Sequence, residues 1–443
     1  MQFPPSDEPD WRAIVRFAAP ALLIFIANPV LTLIDSAFVG SVGGSTAQAA
    51  LSPAAVILDF PQIVFSFLAV GTTNLISREL KREEKVASVL RVSWTLALAC
   101  GALLLACNLA FAPHILRLLG TPAGVAAEAL RYVGARRFFL PFVFLSTTST
   151  AAFLSLRDPV TPLKWVACSS LVNVCLDYLL CVVLRLGIAG AGWATVAAQA
   201  TLLAGLLWSL GSRGLLPRLW PPASVRQLAP FGRFAGPVSL LTLLRVAGFA
   251  LMASFANSLG SNSLAAHQVV VSFFVLISIC AEPLNSAGQT QLPALLPGGA
   301  TPSVARATAL VLTLVRAALV VGATSACLGA TLLLGGGPFL AADASVYAEI
   351  RRVVLPCCSC LLLGACTVVL DGSLVARRDW GFLLPIQGTA LCVLGGSLSL
   401  FRRVVPHVGL PSLWVAYLMY LLFRLFALGS RLAFVLRPAK AQP

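Results

Sequence analysis

GSRGLLPRLWPPASVRQLAP, residues Gly211–Pro230, is the longest polar, proline-rich break in the middle of this chain. On either side lie apolar runs of about 18 residues or more, each long enough to cross the ~30 Å hydrocarbon core of a bilayer as a helix. We place spans at 14–39, 54–76, 92–112, 133–155, 165–185 and 190–210 before the break. After it they fall at 231–257, 264–290, 307–334, 353–375, 381–400 and 411–436. The runs are continuous rather than alternating. Helices rather than barrel strands are therefore expected, since backbone groups in hydrocarbon must bond within their own segment or around a closed sheet. Composition agrees. Of 443 residues, 58% are hydrophobic and 11% charged, and the mean hydropathy is +0.91. That is too little charge to clothe a soluble domain of this size.

The halves repeat each other in outline. Phe17-Ala-Ala-Pro20 resembles Phe234-Ala-Gly-Pro237, Ala49–Pro53 resembles Leu264–Gln268, and Arg157-Asp158 resembles Arg378-Asp379, at offsets of 217, 215 and 221 residues. Such duplication marks alternating-access transporters, with a binding site between the halves. The predicted fold is an all-α polytopic membrane protein of twelve transmembrane helices in two pseudo-twofold-related six-helix bundles. Residues 1–210 form the N-terminal bundle, 211–230 the interlobe linker and 231–443 the C-terminal bundle. The net charge of +15 sits singly or in small clusters between apolar runs, as positive-inside loops require, so no nucleic-acid partner is predicted. The bias places both termini inside. Its clearest loop is Arg78–Arg91, with Lys81, Arg82 and Lys85.

A carboxylate near the bilayer centre costs several kcal/mol unless paired, hydrated or protonated. Asp35 in span 1 and Asp177 in span 5 both fall in the outer half of the first bundle, and Asn173 shares the helical face of Asp177 four residues on. Two acids in one low-dielectric site cannot both ionise cheaply, which suits a site that loads and releases a proton. In the second bundle, Arg245 in span 7 should pair with Glu282 of span 8 or Asp371 of span 10, either as a substrate contact or as a structural ion pair. Asp59, before Phe60-Pro61, reads as interfacial, and His267 as a hydrogen-bonding residue near a helix start. Pro20, Pro29, Pro61, Pro237 and Pro283 each favour a kink. Pro20 and Pro29 precede Asp35, and bending of span 1 about this hinge on protonation is the switching device expected.

Other classes fit less well. The twelve cysteines lie almost wholly in apolar runs, and Cys357 with Cys360 lacks a metal site's partners, so they read as packing residues and no metal is expected. There is no phosphate-binding Gly-x4-Gly-Lys-Ser/Thr loop. His114, His267 and His407 sit in no enzyme motif, so covalent catalysis is not predicted. A major-facilitator protein would show a basic Gly-rich motif within Ser77–Arg91. Met1–Asp10 resembles neither a secretory signal nor a transit peptide. Insertion through span 1, or loss of an upstream targeting segment, stays open.

At the level of family, the chain resembles the multidrug and toxic compound extrusion (MATE) transporters. The resemblance rests on Pro20 with Ile34-Asp35-Ser36-Ala37-Phe38-Val39-Gly40, on Leu156–Pro162, on Asn173–Asp177 with Gly187–Thr195, and on Gly260 with Leu264–Gln268. It points to the DinF-like branch, whose cation-binding cluster matches Asp35, Asn173, Asp177 and Thr195. Ala281–Gln289 and Leu370–Leu374 look most like plant and algal plastid-envelope members, some thought to move phenolic or carboxylic acids, which would make Arg245 an anion contact. The resemblance implies a secondary antiporter exporting small organic solutes, organic cations or such acids, in exchange for H+ or Na+. It needs no cofactor and acts as a monomer in the bilayer, in the plastid envelope of a plant or alga and otherwise in the plasma membrane. A lipid-linked oligosaccharide flippase of the related superfamily is the alternative.

Overall fold

The computed structural model describes residues 11–80, 83–217, 223–296, 303–335, 344–404 and 409–436. Met1–Asp10, Lys81, Arg82 and His407, and residues 218–222 of the central break, lie outside the described residues. Among the described residues the chain is helical, with no strand. Eleven stretches are long and apolar enough to cross a membrane. The first, Trp11–Arg78, has 68 residues, about 100 Å if straight, or three times the hydrocarbon thickness. It turns back at Gly44, whose φ of 70° and ψ of −170° leave helical space in a region where only glycine sits without strain. Beyond the turn, Gln48 donates to Ser36 Oγ at 3.3 Å, although 12 residues of straight helix would hold them about 18 Å apart. This stretch therefore supplies spans 1 and 2, and the protein is a twelve-span, multi-pass membrane protein.

The prolines act unequally. Helical backbone runs on through Pro20 and Pro29 in span 1 and through Pro237 in span 7. Spans 2 and 8, in contrast, are broken at matching places. Asp59 interrupts span 2, and Pro61 lies in the first turn of the short helix Phe60–Val64 that follows. In span 8 a tight turn, Ile279–Ala281, leads into Glu282–Leu295 with Pro283 in its first turn. An acid thus stands just before the proline in each. The break frees the Val64 carbonyl, which accepts a hydrogen bond from Ser239 Oγ at 2.7 Å, as irregular backbone at membrane depth requires.

The chain forms two compact units, Leu23–Ser239 and Leu240–Pro443 with Met1–Leu22. Within the first, span 4 (Ala123–Ser155) is the most buried helix; within the second it is span 10 (Ala344–Arg377). Each unit also closes its span-ending turn in the same way. Arg157 and Arg378 adopt left-handed backbone with φ of 61° and 62°, and the aspartate after each accepts from an arginine near the end of a neighbouring span. Asp158 bonds Arg213, together with the Thr161 backbone N–H at 3.0 Å and its hydroxyl at 2.6 Å. Asp379 bonds Arg431 at 2.8 and 3.3 Å. Burial alone would raise the Asp158 carboxyl, but its bonds from Thr161 and Arg213 outweigh that and hold it below the usual carboxylate range. The stability it lends is present above its ordinary value of 3.8 and is lost as pH falls through its lowered one.

Spans 5 and 6 pack closely because Gly205 lets the Trp165 indole lie on its backbone; an added Cβ would overlap the ring. The Trp165 Nε1–H donates to Ser209 Oγ at 2.9 Å. Gly205→Ala should therefore destabilise the protein by about 1–3 kcal/mol, the usual cost of overpacking. Gly396→Ala, where the new methyl meets nothing within 4 Å, should leave the melting temperature unchanged when both are compared by thermal unfolding in detergent.

Candidate functional site

In the first unit, span 1 presents Asp35 and span 5 presents Asn173 and Asp177, all buried. The Asp35 carboxyl faces Asp177, Asn173 and Thr195. Asp177 closes the α-helix Val160–Asp177, and a wider turn, Tyr178–Val183, with i→i+5 bonding follows it. Such turns often sit at functional places. The four predicted residues thus come together. Their oxygens are not used up by one another. Asp35 Oδ1, both Asp177 oxygens and Asn173 Nδ2 make no hydrogen bond among the described residues. Thr195 donates to the Ala191 carbonyl at 2.9 Å, which leaves its oxygen free to accept. Buried polar groups left unpaired, the carboxylate acceptors and the Asn173 amide donor alike, cost about 1–3 kcal/mol each, a cost that a bound proton or cation would offset at the carboxylates. Carboxylate, amide and hydroxyl oxygens suit a proton or a hard monovalent cation. Among the described residues no group of three or more His, Cys, Asp or Glu is placed to hold a metal ion.

Beside this cluster lies a cation that sequence reasoning passed over. Arg136 of span 4 bonds the Tyr132 hydroxyl at 3.0 Å and Asp59 at 3.3 Å, and its charge acts on Asp35. Tyr132 in turn reaches Thr195. Asp59, read as interfacial, is thus an ion-pair partner at the break of span 2. Arg136 escaped notice because it stands beside Arg137 near the expected start of span 4 at 133, where basic residues read as loop charge; the helix in fact begins at Ala123.

In the second unit, Arg245 pairs with Asp371 at 3.1 Å. A second cation, which the sequence reading did not single out, shares this acid. Arg424 of span 12 also bonds Asp371, and both are buried. The cost argument applied to Arg245 would have found it. Arg424 also donates to the Tyr420 hydroxyl at 3.2 Å, as does Gln387 at 2.9 Å. Glu282 takes no arginine among the described residues and accepts from Asn285 at 2.9 Å. Arg245, Glu282, Asp371 and Arg424 line one cavity of about 190 Å³ with Phe249, Phe274, Tyr417 and Tyr420. The two tyrosine rings stack at 5.3 Å. The cavity therefore holds two charges of each sign and an aromatic wall. His267 lies apart, buried seven residues into its helix against Trp414 at 6.0 Å, with no partner on Nδ1 among the described residues.

A duplicated helical membrane fold with broken spans and intramembrane charges in each half belongs to the class of secondary transporters. Comparison with known proteins finds relatives of that class. The MatE family model matches residues 20–179. Protein DETOXIFICATION 47, chloroplastic, of Arabidopsis thaliana is 29% identical, over 91% of this chain and 74% of its own length. DNA damage-inducible protein F of Escherichia coli is 23% identical, over 95% and 91%. In fold, the chain superposes on an outward-facing multidrug resistance MATE family transporter with a TM-score of 0.85 at 16% identity, covering 96% of this chain and 97% of that one. The Vibrio cholerae MATE transporter VcmN in its bent form gives 0.84 at 18%, with the same coverage. Over residues 20–179 the chain matches the MatE family model, and over most of its length it is similar to these transporters in sequence and fold.

Asp371 is the anchor of the second-unit site. Asp371→Ala should cost about 3–5 kcal/mol, because it strands Arg424 in the interior. Glu282→Gln, whose partner is an amide, should change stability little. Replacing both members of the buried pair, Asp371→Leu with Arg424→Met, should recover much of the loss. Unfolding in detergent monitored by tryptophan fluorescence ranks the three.

Proposed function

We propose that the chain is a cation-coupled antiporter that exports a small organic solute by alternating access, with protons rather than sodium as the coupling ion. The observation that carries this is the cluster of Asp35, Asn173 and Asp177, buried and with polar atoms left without a hydrogen bond among the described residues, beside the half-buried Thr195. Two adjacent carboxylates repel each other in low dielectric, and a shared proton removes the repulsion. Loading and unloading that proton shifts the balance between inward- and outward-open states by its differential affinity for them. Pro20 and Pro29 are the proposed hinge through which span 1 responds. The halves 1–210 and 231–443, joined by 211–230, are the proposed moving bodies.

In the second unit, Arg245 and Glu282 offer the solute one contact of each sign, Arg245 for a carboxylate and Glu282 for an organic cation. Tyr417 and Tyr420 offer an aromatic ring a stacking surface. The protein acts as a monomer and needs no cofactor. Relatives named chloroplastic support placement in a plastid envelope.

The test is flux in proteoliposomes under an imposed pH gradient, with a fluorescent organic cation and a phenolic carboxylate as solutes. Asp35→Asn and Asp177→Asn should each reduce driven flux to that of protein-free liposomes while leaving the protein folded. Flux that survives both substitutions would move the coupling site to Glu282 and Asp371. Equal flux under a sodium gradient at constant pH would sink the proton assignment.

A further inference from the structure

We propose that a cup at the inner ends of spans 5 and 6 binds the phosphate of an anionic phospholipid, with Lys164 and Arg213 on the phosphate and Trp165 and Trp208 beside the glycerol and upper acyl chain. The cup has a volume of about 290 Å³ and is lined by these four residues together with Thr161 and Cys168, among others. It lies on the side to which the basic loops assign the membrane's inner face, outside the sites described above.

The cup is built rather than incidental. Trp165 is held flat on Gly205 and tied through its N–H to Ser209. Trp208 meets it edge to face at 6.1 Å and 77°. One wall is therefore a fixed pair of indoles, with Trp208 69% exposed and Cys168 exposed beside it. The other wall is cationic. Asp158 takes up one charge by bonding Arg213. Lys164, exposed at the rim, forms no ion pair among the described residues, so the cup carries one positive charge in excess. Indoles beside basic side chains belong at headgroup depth, and basic pockets between transmembrane helices on this side suit anionic lipid.

The internal repeat separates this arrangement from what the fold needs. The aspartate–arginine clip occurs in both units, as Asp158–Arg213 and Asp379–Arg431. The cup does not. At the 221-residue offset of the aspartates, Lys164 corresponds to Pro385 and Trp165 to Ile386. At the 218-residue offset of the arginines, Gly205 corresponds to Phe423 and Trp208 to Phe426. At these matching positions the second unit has no lysine and no indole, its Trp380 standing instead directly after Asp379, so the first unit's lysine and paired tryptophans are additions to the clip. A free phosphate would use the cations but gain nothing from the indoles. A phospholipid uses both.

The experiment places the full chain in phosphatidylcholine nanodiscs doped with phosphatidylglycerol or phosphatidylcholine brominated high on the acyl chain. Quenching of Trp208 is read as the difference between the wild type and Trp208→Phe. Brominated phosphatidylglycerol should quench Trp208 more strongly than brominated phosphatidylcholine. Lys164→Gln, a substitution at an exposed site, should weaken that preference about fivefold, the effect of one lysine near an anionic surface, with the thermal unfolding curve unchanged. Equal quenching by the two lipids, or a preference untouched by Lys164→Gln, would overturn the proposal. Displacement of the brominated lipid by inorganic phosphate would identify free phosphate as the occupant and overturn it as well. No step of this assay depends on transport, so its failure leaves the antiporter reading standing.

Discussion

The bilayer core contains no water to finish what the chain leaves undone, and most of this structure answers that constraint. A buried aspartate, Asp371, stands between two arginines on spans 7 and 12 and so fastens both to the central helix of its unit. Removing water makes such attractions strong and also makes an unpartnered member costly. The same pressure explains why Ser239 caps the carbonyl freed where span 2 breaks.

Against that background, the two units differ in the polar groups they leave unfinished. The first keeps acidic oxygens with too few donors around them, while Arg136 stands nearby on Tyr132 and Asp59. The second balances its charges and surrounds them with aromatic rings. A group short of protons suits ion coupling. A cavity with both signs and a stacking wall suits a solute with a ring and a polar end. The duplicated architecture thus carries two chemistries, and the differences lie in few positions.

Much of this was legible in the sequence because membrane crossing imposes length and polarity with little ambiguity. The spans follow from apolar runs, and Asp35, Asn173, Asp177 and Arg245 follow from the cost of polar groups inside them. What escaped was pairing. Nothing local says that Arg245 bonds Asp371 while Glu282 bonds an amide three residues on, since that depends on how spans 7, 8, 10 and 12 pack. Arg424 was within reach of the same cost argument. Asp59 and Arg136 were not, because each stands near the start of an apolar run, where an interfacial reading is natural. Proline was also an uneven guide. Pro61 and Pro283 open new helices after breaks, while Pro20, Pro29 and Pro237 lie in unbroken helix, so the missing N–H alone does not decide where a span yields.

The wide turn at Tyr178–Val183 carries a further consequence for span 5. A π-turn holds one residue more than an α-turn of the same height, so it amounts to a single-residue insertion that the helix has absorbed instead of expelling as a loop. One residue corresponds to about 100° of helical rotation. The end of span 5 is therefore out of phase with its beginning, and a helical wheel drawn from Val160 assigns the wrong faces beyond Asp177. The acid sits at the seam itself, the last residue whose direction is set by the inner half of the helix. Span 5 is in effect two helices of different phase sharing one axis, joined at a residue whose carboxylate oxygens make no hydrogen bond among the described residues.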